Sequence, residues 1–270
     1  MNRPTFVFVL SALALIASSS HAASCKDSVE ADSGTKTVSL AELYTSEGCD
    51  SCPPTDKWFS TLSLKKSGVV PLAFHVDYWD YIGWKDRFGK PGFAERQRTL
   101  VGLQGSRTVY TPQVLLNGKD TRNAATNAQF DSNIRDLAVR PPQAGIKLYA
   151  QSKANAIDVA VSVSLTDESS RKDSAVYIAL TENNLVSRVT AGENKGVSLK
   201  HDHVVRELSG PFLISVKPIS PTASSATFDI KRAIDIPSDW KREDLNVVAF
   251  VQNTRSGQVL QAVSTPLCNP

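Results

Sequence analysis

Two cysteines, Cys49 and Cys52, stand two residues apart and are followed at once by Pro53 and Pro54. Proline is tolerated in a helix only in the first turn, where amide hydrogens have no intrahelical partner, so a helix must begin beside the cysteines. Trp58, Phe59 and Leu62 continue it with one apolar face. Before the cysteines, the β-branched and aromatic stretch from Thr37 to Tyr44 predicts a strand, and Thr45, Ser46, Glu47 and Gly48 turn the chain into Cys49. A strand that delivers one cysteine to the start of a helix, with the second a turn inside, lets both sulfurs meet in a reversible disulfide. The helix start carries a partial positive charge of about half an elementary unit, which favours a thiolate at Cys49. Cys49 is then the exposed attacking thiolate and Cys52 the resolving partner. An inert structural disulfide and half of a metal site are the alternatives for this spacing.

The rest of the first half continues the pattern. Val69 to Val76 is an apolar run broken only by Pro71 and His75, which suits a strand covered on both faces and completes a βαβ unit. Phe93 to Leu103 reads as a helix. Thr111-Pro112 introduces a strand at Val114, Leu115 and Leu116, ended by the Asn117-Gly118 turn signal. A further helix spans Asn127 to Val139 and is closed by Pro141 and Pro142, the expected domain boundary. Beyond it Ile157, Val159, Val161 and Val163 alternate with small or polar residues, and Val176 to Leu180, Phe228 to Ile230 and Val247 to Val251 read as further strands. The expected fold is therefore α/β: a βαβ-containing domain over 37–140, then a mostly antiparallel β-sandwich-like domain over 145–267.

The chain opens with Arg3, an apolar stretch from Phe6 to Ala17 and small residues at Ser20 and Ala22. That is the pattern of a signal peptide over residues 1–22, cleaved after Ala22, and it predicts a secreted or periplasmic protein. Residues 26–36 are polar and read as a loose tether. No second long apolar run follows, so no stable membrane insertion is expected. A formal charge of +3 gives no reason to expect nucleic acid or anionic lipid as a partner. All four cysteines follow the signal peptide, and export places them where disulfides persist. Cys25 and Cys268 lie near the two ends of the mature chain and are expected to pair. No cofactor is expected, and the single methionine, Met1, leaves no methionine-rich copper site.

The cysteine pair together with Thr111-Pro112 resembles the thioredoxin superfamily. The segments Glu42 to Cys49, His75 to Asp80 and Tyr110 to Gln113, with weaker likeness at Glu193-Asn194 and His203 to Arg206, are similar to an exported thioredoxin-like family of unknown function, domain of unknown function 1223. The resemblance implies a thioredoxin-like domain over 37–140. It implies a cis bond at Pro112 facing the cysteines and helping to hold client backbone. It also implies that Glu42, a buried acid on the strand feeding the cysteines, moves a proton to the resolving thiol, against the alternative of a core-edge glutamate. Asp50 stands where that family has serine, and a carboxylate beside the thiols favours the thiol form, leaving the direction of redox work open.

Other residues have two readings each. His75, Asp77 and Asp80 follow the second strand, where functional groups gather in parallel sheets; His75 either polarises a thiolate, ligates a metal, or is satisfied by a backbone partner. The aromatic run from Tyr78 to Phe93 mostly packs the insertion, with Tyr78, Trp79 and Thr111 assigned to client binding. His201 and His203 share a face if they lie on one strand, as a metal pair or a solvated strand end. The first functional expectation is an exported thiol-disulfide oxidoreductase acting on protein or small thiols, with protein thiols or a redox partner protein as its partners and Cys49, Cys52, Glu42 and Pro112 as its catalytic set. A non-enzymatic metal-binding or chaperone-like module using Cys49, Cys52 and His75 is the second, and a pure binding protein on the same scaffold the third.

Overall fold

The computed structural model describes residues 24, 25, 27–122, 128–166, 172–214 and 227–269. In chain order the first half holds β1 (Ser24–Cys25), β2 (Ser28–Asp32), β3 (Ser39–Thr45), α1 (Pro53–Phe59), α2 (Leu64–Ser67), β4 (Val69–His75), α3 (Pro91–Leu103), β5 (Gln113–Leu116), β6 (Lys119–Asp120) and α4 (Ala128–Ala138). After Pro141 and Pro142 come β7 (Ala144–Ser152), β8 (Ala156–Leu165), β9 (Ser174–Glu182), β10 (Leu185–Arg188), β11 (Ser198–His201) and β12 (Val204–Leu213). The chain ends with β13 (Thr227–Asp235), β14 (Leu245–Asn253), β15 (Val259–Pro266) and β16 (Cys268–Asn269).

β3, α1 and β4 form the expected βαβ unit, with β3 and β4 parallel from Ser39 opposite Val69 to Thr45 opposite His75. Every residue of both strands is buried, so each β3 side chain must suit one of two packed faces. The period of two decides which. Ala41 and Leu43 join Phe59 of α1 with Phe130 and Ile134 of α4, whereas Leu40 and Tyr44 join Phe93 and Ala94 of α3.

The proline pair divides the sequence but not the sheet. One eight-stranded sheet runs in the order β15-β14-β9-β12-β4-β3-β5-β6, and the join is a parallel pairing of β12 with β4, Val204 opposite Ala73. A second sheet, β13-β8-β7-β2, lays the alternating residues Ile157, Val159, Val161 and Val163 against Val176, Ile178, Leu180, Val247 and Val251. Each such side chain contributes about 1.5–3 kcal/mol when fully buried, so this interface holds the β-rich half together.

Part of the expected tether, 26–36, is the strand β2. Val29 and Ala31 pack on the core between the two β sheets, and β2 pairs with β7 from Ser28 opposite Gln151 onward. Cys25 and Cys268 form a disulfide within the small ladder of β1 with β16. The signal-peptide stretch and its cleavage point at Ala22 lie outside the described residues. No described helix is long and apolar enough to cross a membrane.

Candidate functional site

The turn between β3 and α1 closes on itself. The Gly48 amide donates to Ser46 Oγ at 3.1 Å, the Cys49 amide to Ser46 O at 3.2 Å and the Cys52 amide to Cys49 O at 3.3 Å. Cys49 and Cys52 are joined in a disulfide with 5.5 Å between their Cα atoms. The expectation of an exposed Cys49 needs correction: Cys49 is 1% and Cys52 0% exposed. Two groups cover them. A Cβ on Gly48 would stand 3.2 Å from Trp79 Cβ and 3.3 Å from Ile82 Cδ1, so the aromatic insertion lies directly on the loop. Asn194 Nδ2 donates to the carbonyls of Glu47 and Cys49, each at 2.9 Å.

Beside the disulfide loop lies a buried cluster of two histidines and three carboxylates. His75 Nδ1 is 2.6 Å from Asp86 Oδ2, and that oxygen also accepts the Glu47 amide at 2.9 Å. Glu47 Oε2 accepts the Trp84 indole N–H at 2.8 Å. His201 Nε2 stands 3.3 Å from Glu47 Oε1 without hydrogen-bond alignment, and its Nδ1 is 3.6 Å from Asp56 Oδ2. Asp56, whose amide donates to Cys52 O at 3.0 Å, also accepts the Thr45 hydroxyl at 2.7 Å. The two imidazole rings meet edge to face, 4.9 Å apart.

Burial raises the Asp56 carboxyl above its ordinary value, against the pull of His201 and His75. Burial would lower His75, but Asp86 outweighs it and holds the imidazolium above its ordinary value. Asp86 and Glu47 are both held below the usual carboxylate range; burial opposes this, but His75 outweighs it at Asp86, and His201 and Trp84 do so at Glu47. A cavity of about 10 Å³ lies between Thr45, Asp56, His75 and His201. That is the space of about one water, so the cluster can move or store protons but cannot admit a substrate.

Glu42 is also buried, but it faces α3. Arg96 Nε and Nη2 donate to its two oxygens at 2.9 and 3.0 Å, and the Tyr44 hydroxyl donates to it at 2.8 Å. The buried carboxyl on the α1 side is Asp56. A larger cavity of about 600 Å³ opens on the α3 face, with Arg96, Phe93 and Tyr177 in its lining and no cysteine.

The Thr111–Pro112 bond is cis, and Thr111 Oγ1 accepts the Trp79 indole N–H at 2.7 Å. Trp79 thus bridges the Pro112 turn and the Gly48 loop. Tyr78 donates its hydroxyl to Gln97 Oε1 at 3.2 Å, and Asp80 Oδ1 accepts the Asp86 amide at 3.1 Å. Asp77 contributes its carbonyl to the Asp80 amide. His201 and His203 do not share a strand face. β11 ends at His201, and His203 takes a positive φ of 59°, its ring packed on Phe59. Among the described residues no group of three or more His, Cys, Asp or Glu side chains is placed to hold a metal ion. The sequence reading does not single out Glu47, Asp56, Asp86 or Trp84. The one local signal was at Asp56, four residues after Cys52 and hence on the same helical face.

The crystal structure of protein AGR_C_4864 from Agrobacterium tumefaciens is similar, with a TM-score of 0.54 and 20% identity over 84% of this chain and 94% of that one. HBP35 of Porphyromonas gingivalis matches with a TM-score of 0.64 and 16% identity over 86% of this chain and 76% of that one. At such identities the likeness is one of fold. No match is found among curated proteins. The family described as "Protein of unknown function (DUF1223)" matches residues 40–252, most of the chain including the whole cysteine site, and the protein belongs to that family.

Proposed function

We propose that the protein is an exported, thioredoxin-like thiol-disulfide oxidoreductase that acts through Cys49 and Cys52 on protein thiols or on a redox partner protein. The observation that carries this reading is the Cys49–Cys52 disulfide at a strand-to-helix turn, with a buried, proton-holding cluster one helical turn along. A bridge meant only to brace a loop has no need of Asp56 and two histidines at its back. The two disulfides suit an oxidising compartment and so support export.

In the oxidising direction a client thiolate attacks Sγ of Cys49, the bond to Cys52 breaks, and Cys52 leaves as a thiolate. Asp56 supplies its proton. A second client thiolate then attacks the client sulfur of the mixed disulfide, which forms the client disulfide and releases Cys49 as a thiolate; the proton from that client thiol reaches Cys49 and the other returns to Asp56. The client loses two electrons and two protons, and the cysteine pair gains both. The reducing direction runs the same atoms backwards. Client backbone is assigned to Trp79, which lies on the Gly48 loop, to Thr111, which it bonds, and to the adjoining Pro112 and Tyr78, whereas Glu42, paired with Arg96 on the other face, is a structural acid in this scheme. Equilibrating the protein in glutathione buffers and weighing alkylated Cys49 and Cys52 tests the reading. Exchanging proteins poise at roughly −120 to −270 mV, and a potential below about −300 mV would mark the bridge as structural.

A further inference from the structure

We propose that the tip of the β10–β11 arm is a latch on the cysteine loop, and that the client able to open it is an extended protein segment rather than a small thiol. This rests on the redox reading above and names its substrate class. Three bonds make the latch. Asn194 Nδ2 donates to Glu47 O and Cys49 O, and Glu193 Oε2 accepts the Asp50 amide at 3.1 Å. Asn194 is buried, Glu193 is exposed, and with them in place both sulfurs are covered.

Only the tip needs to move, because the buried Leu185, Leu199 and His201 hold the rest of the arm in place. β10 and β11 pair only with each other and form a two-stranded sheet apart from the eight-stranded one. The turn between them contains Gly192 and Gly196, both at positive φ, and Gly192 leaves space that Trp84 and Ile82 fill. At its base Arg87 donates to Ser187 Oγ and Val186 O, and His201 faces Glu47 and Asp56. Opening the tip therefore leaves the base attached, as local opening requires.

The exposed polar groups then define what must replace the latch. With the tip displaced, two carbonyls, Glu47 O and Cys49 O, need a donor, and one amide, Asp50 N–H, needs an acceptor. An extended peptide offers N–H and C=O groups in alternation along one edge, which meets both needs at once. Glutathione has donors and acceptors too, but only two amide bonds, whereas an extended segment carries the same pattern beyond both ends of the loop and can be held there by further backbone pairing.

The test follows reduction of both disulfides by mass after alkylation, in wild type, Glu193→Ala and Asn194→Ala, with glutathione and with an extended cysteine-containing peptide. Asn194→Ala, which loses two hydrogen bonds, should be reduced by glutathione roughly 5- to 150-fold faster than wild type, and Glu193→Ala, which loses one, roughly threefold to tenfold faster. The preference of wild type for the peptide over glutathione should shrink in both variants. Cys25–Cys268 is the internal control and should not change. If Asn194→Ala fails to fold, the exposed Glu193 site decides alone. Rates within twofold of wild type, or parallel acceleration of Cys25–Cys268, overturn the latch while leaving the redox reading standing. A wild-type pair that neither thiol reduces overturns both.

Discussion

Asp86→Asn should cost the fold about 3–5 kcal/mol and remove a specific pH dependence. Asp86 Oδ2 accepts both His75 Nδ1–H at 2.6 Å and the Glu47 amide at 2.9 Å, while Oδ1 accepts the Phe88 amide at 2.9 Å. Asparagine keeps one acceptor and replaces the other with an NH2 group that faces a donor whichever way the amide turns, the Phe88 amide on one side or His75 and the Glu47 amide on the other. One buried amide then goes unsatisfied, at about 1–3 kcal/mol, and a charge-assisted bond worth about 1.5–3 kcal/mol is lost. The sum agrees with the usual cost of breaking a buried ion pair. For a chain of this length that is roughly 6–20 °C in Tm. The pH dependence follows from the same pair. His75 binds its proton more tightly folded than unfolded, so its contribution is complete below its ordinary value of 6.5 and is lost as pH rises through the higher folded value. Asp86 is held below its ordinary 3.8, so its contribution is present above that value and is lost as pH falls through the lower folded one. Urea unfolding at several pH values between 6 and 9 should show wild type losing stability relative to Asp86→Asn as pH rises. A loss under 1 kcal/mol, or parallel curves for the two proteins, would refute the reasoning.

Arg96→Met removes the guanidinium that pairs with the buried Glu42 and lies over Phe74 and Phe250, and should cost about 3–5 kcal/mol by urea unfolding; adding Glu42→Leu should recover more than half. Gly118→Ala should cost roughly 3 kcal/mol or more, since the new Cβ would lie 1.9 Å from Gly257 O and φ is +79°; calorimetry reads it, and an unchanged Tm sinks the packing argument. Replacing Cys25 and Cys268 with serine opens a cross-link with a sequence separation of 243, which the loop-entropy relation values at about 5 kcal/mol; a double variant as stable as wild type would show that relation fails here. Asp56→Asn should move the pH profile of disulfide exchange and Glu42→Gln should not, a contrast that stopped-flow alkylation at Cys49 resolves.

What was legible in the sequence was what local chemistry dictates. Pro53 and Pro54 place the start of α1, the apolar run at Val69 makes β4 a two-faced strand, and Asn117-Gly118 ends β5, all within a few residues of the cause. The β2 strand escaped because Val29 and Ala31 sit among polar residues, and only β7 and the core opposite give them a partner. The joining of the halves escaped for the same reason at longer range: Val204 finds Ala73 across about half the chain, and no period in either segment encodes it. Glu42 is more instructive. Its strand parity matches Leu40 and Tyr44 rather than Leu43 and Thr45, so period two already set it on the face away from α1, and the resemblance to thioredoxins overrode that signal.

The burial of Cys49 follows from residues that no reading of the cysteine motif contains, since Asn194 lies 145 positions from it. A sulfur out of water is a poor thiolate, because burial penalises the charged form. A strand-to-helix turn alone would therefore give a reactive pair, and the arm converts it to a guarded one. Three hydrogen bonds, one of them exposed, contribute a few kcal/mol to the cost of opening, and the contacts of the tip with Trp84 and Ile82 add to it. Because each 1.4 kcal/mol is tenfold in rate, that is enough to slow a small thiol by orders of magnitude. On the redox function proposed above, a protein segment that remakes those bonds as it binds regains most of that loss, and the arm rather than the sulfur chemistry would select protein over small thiols.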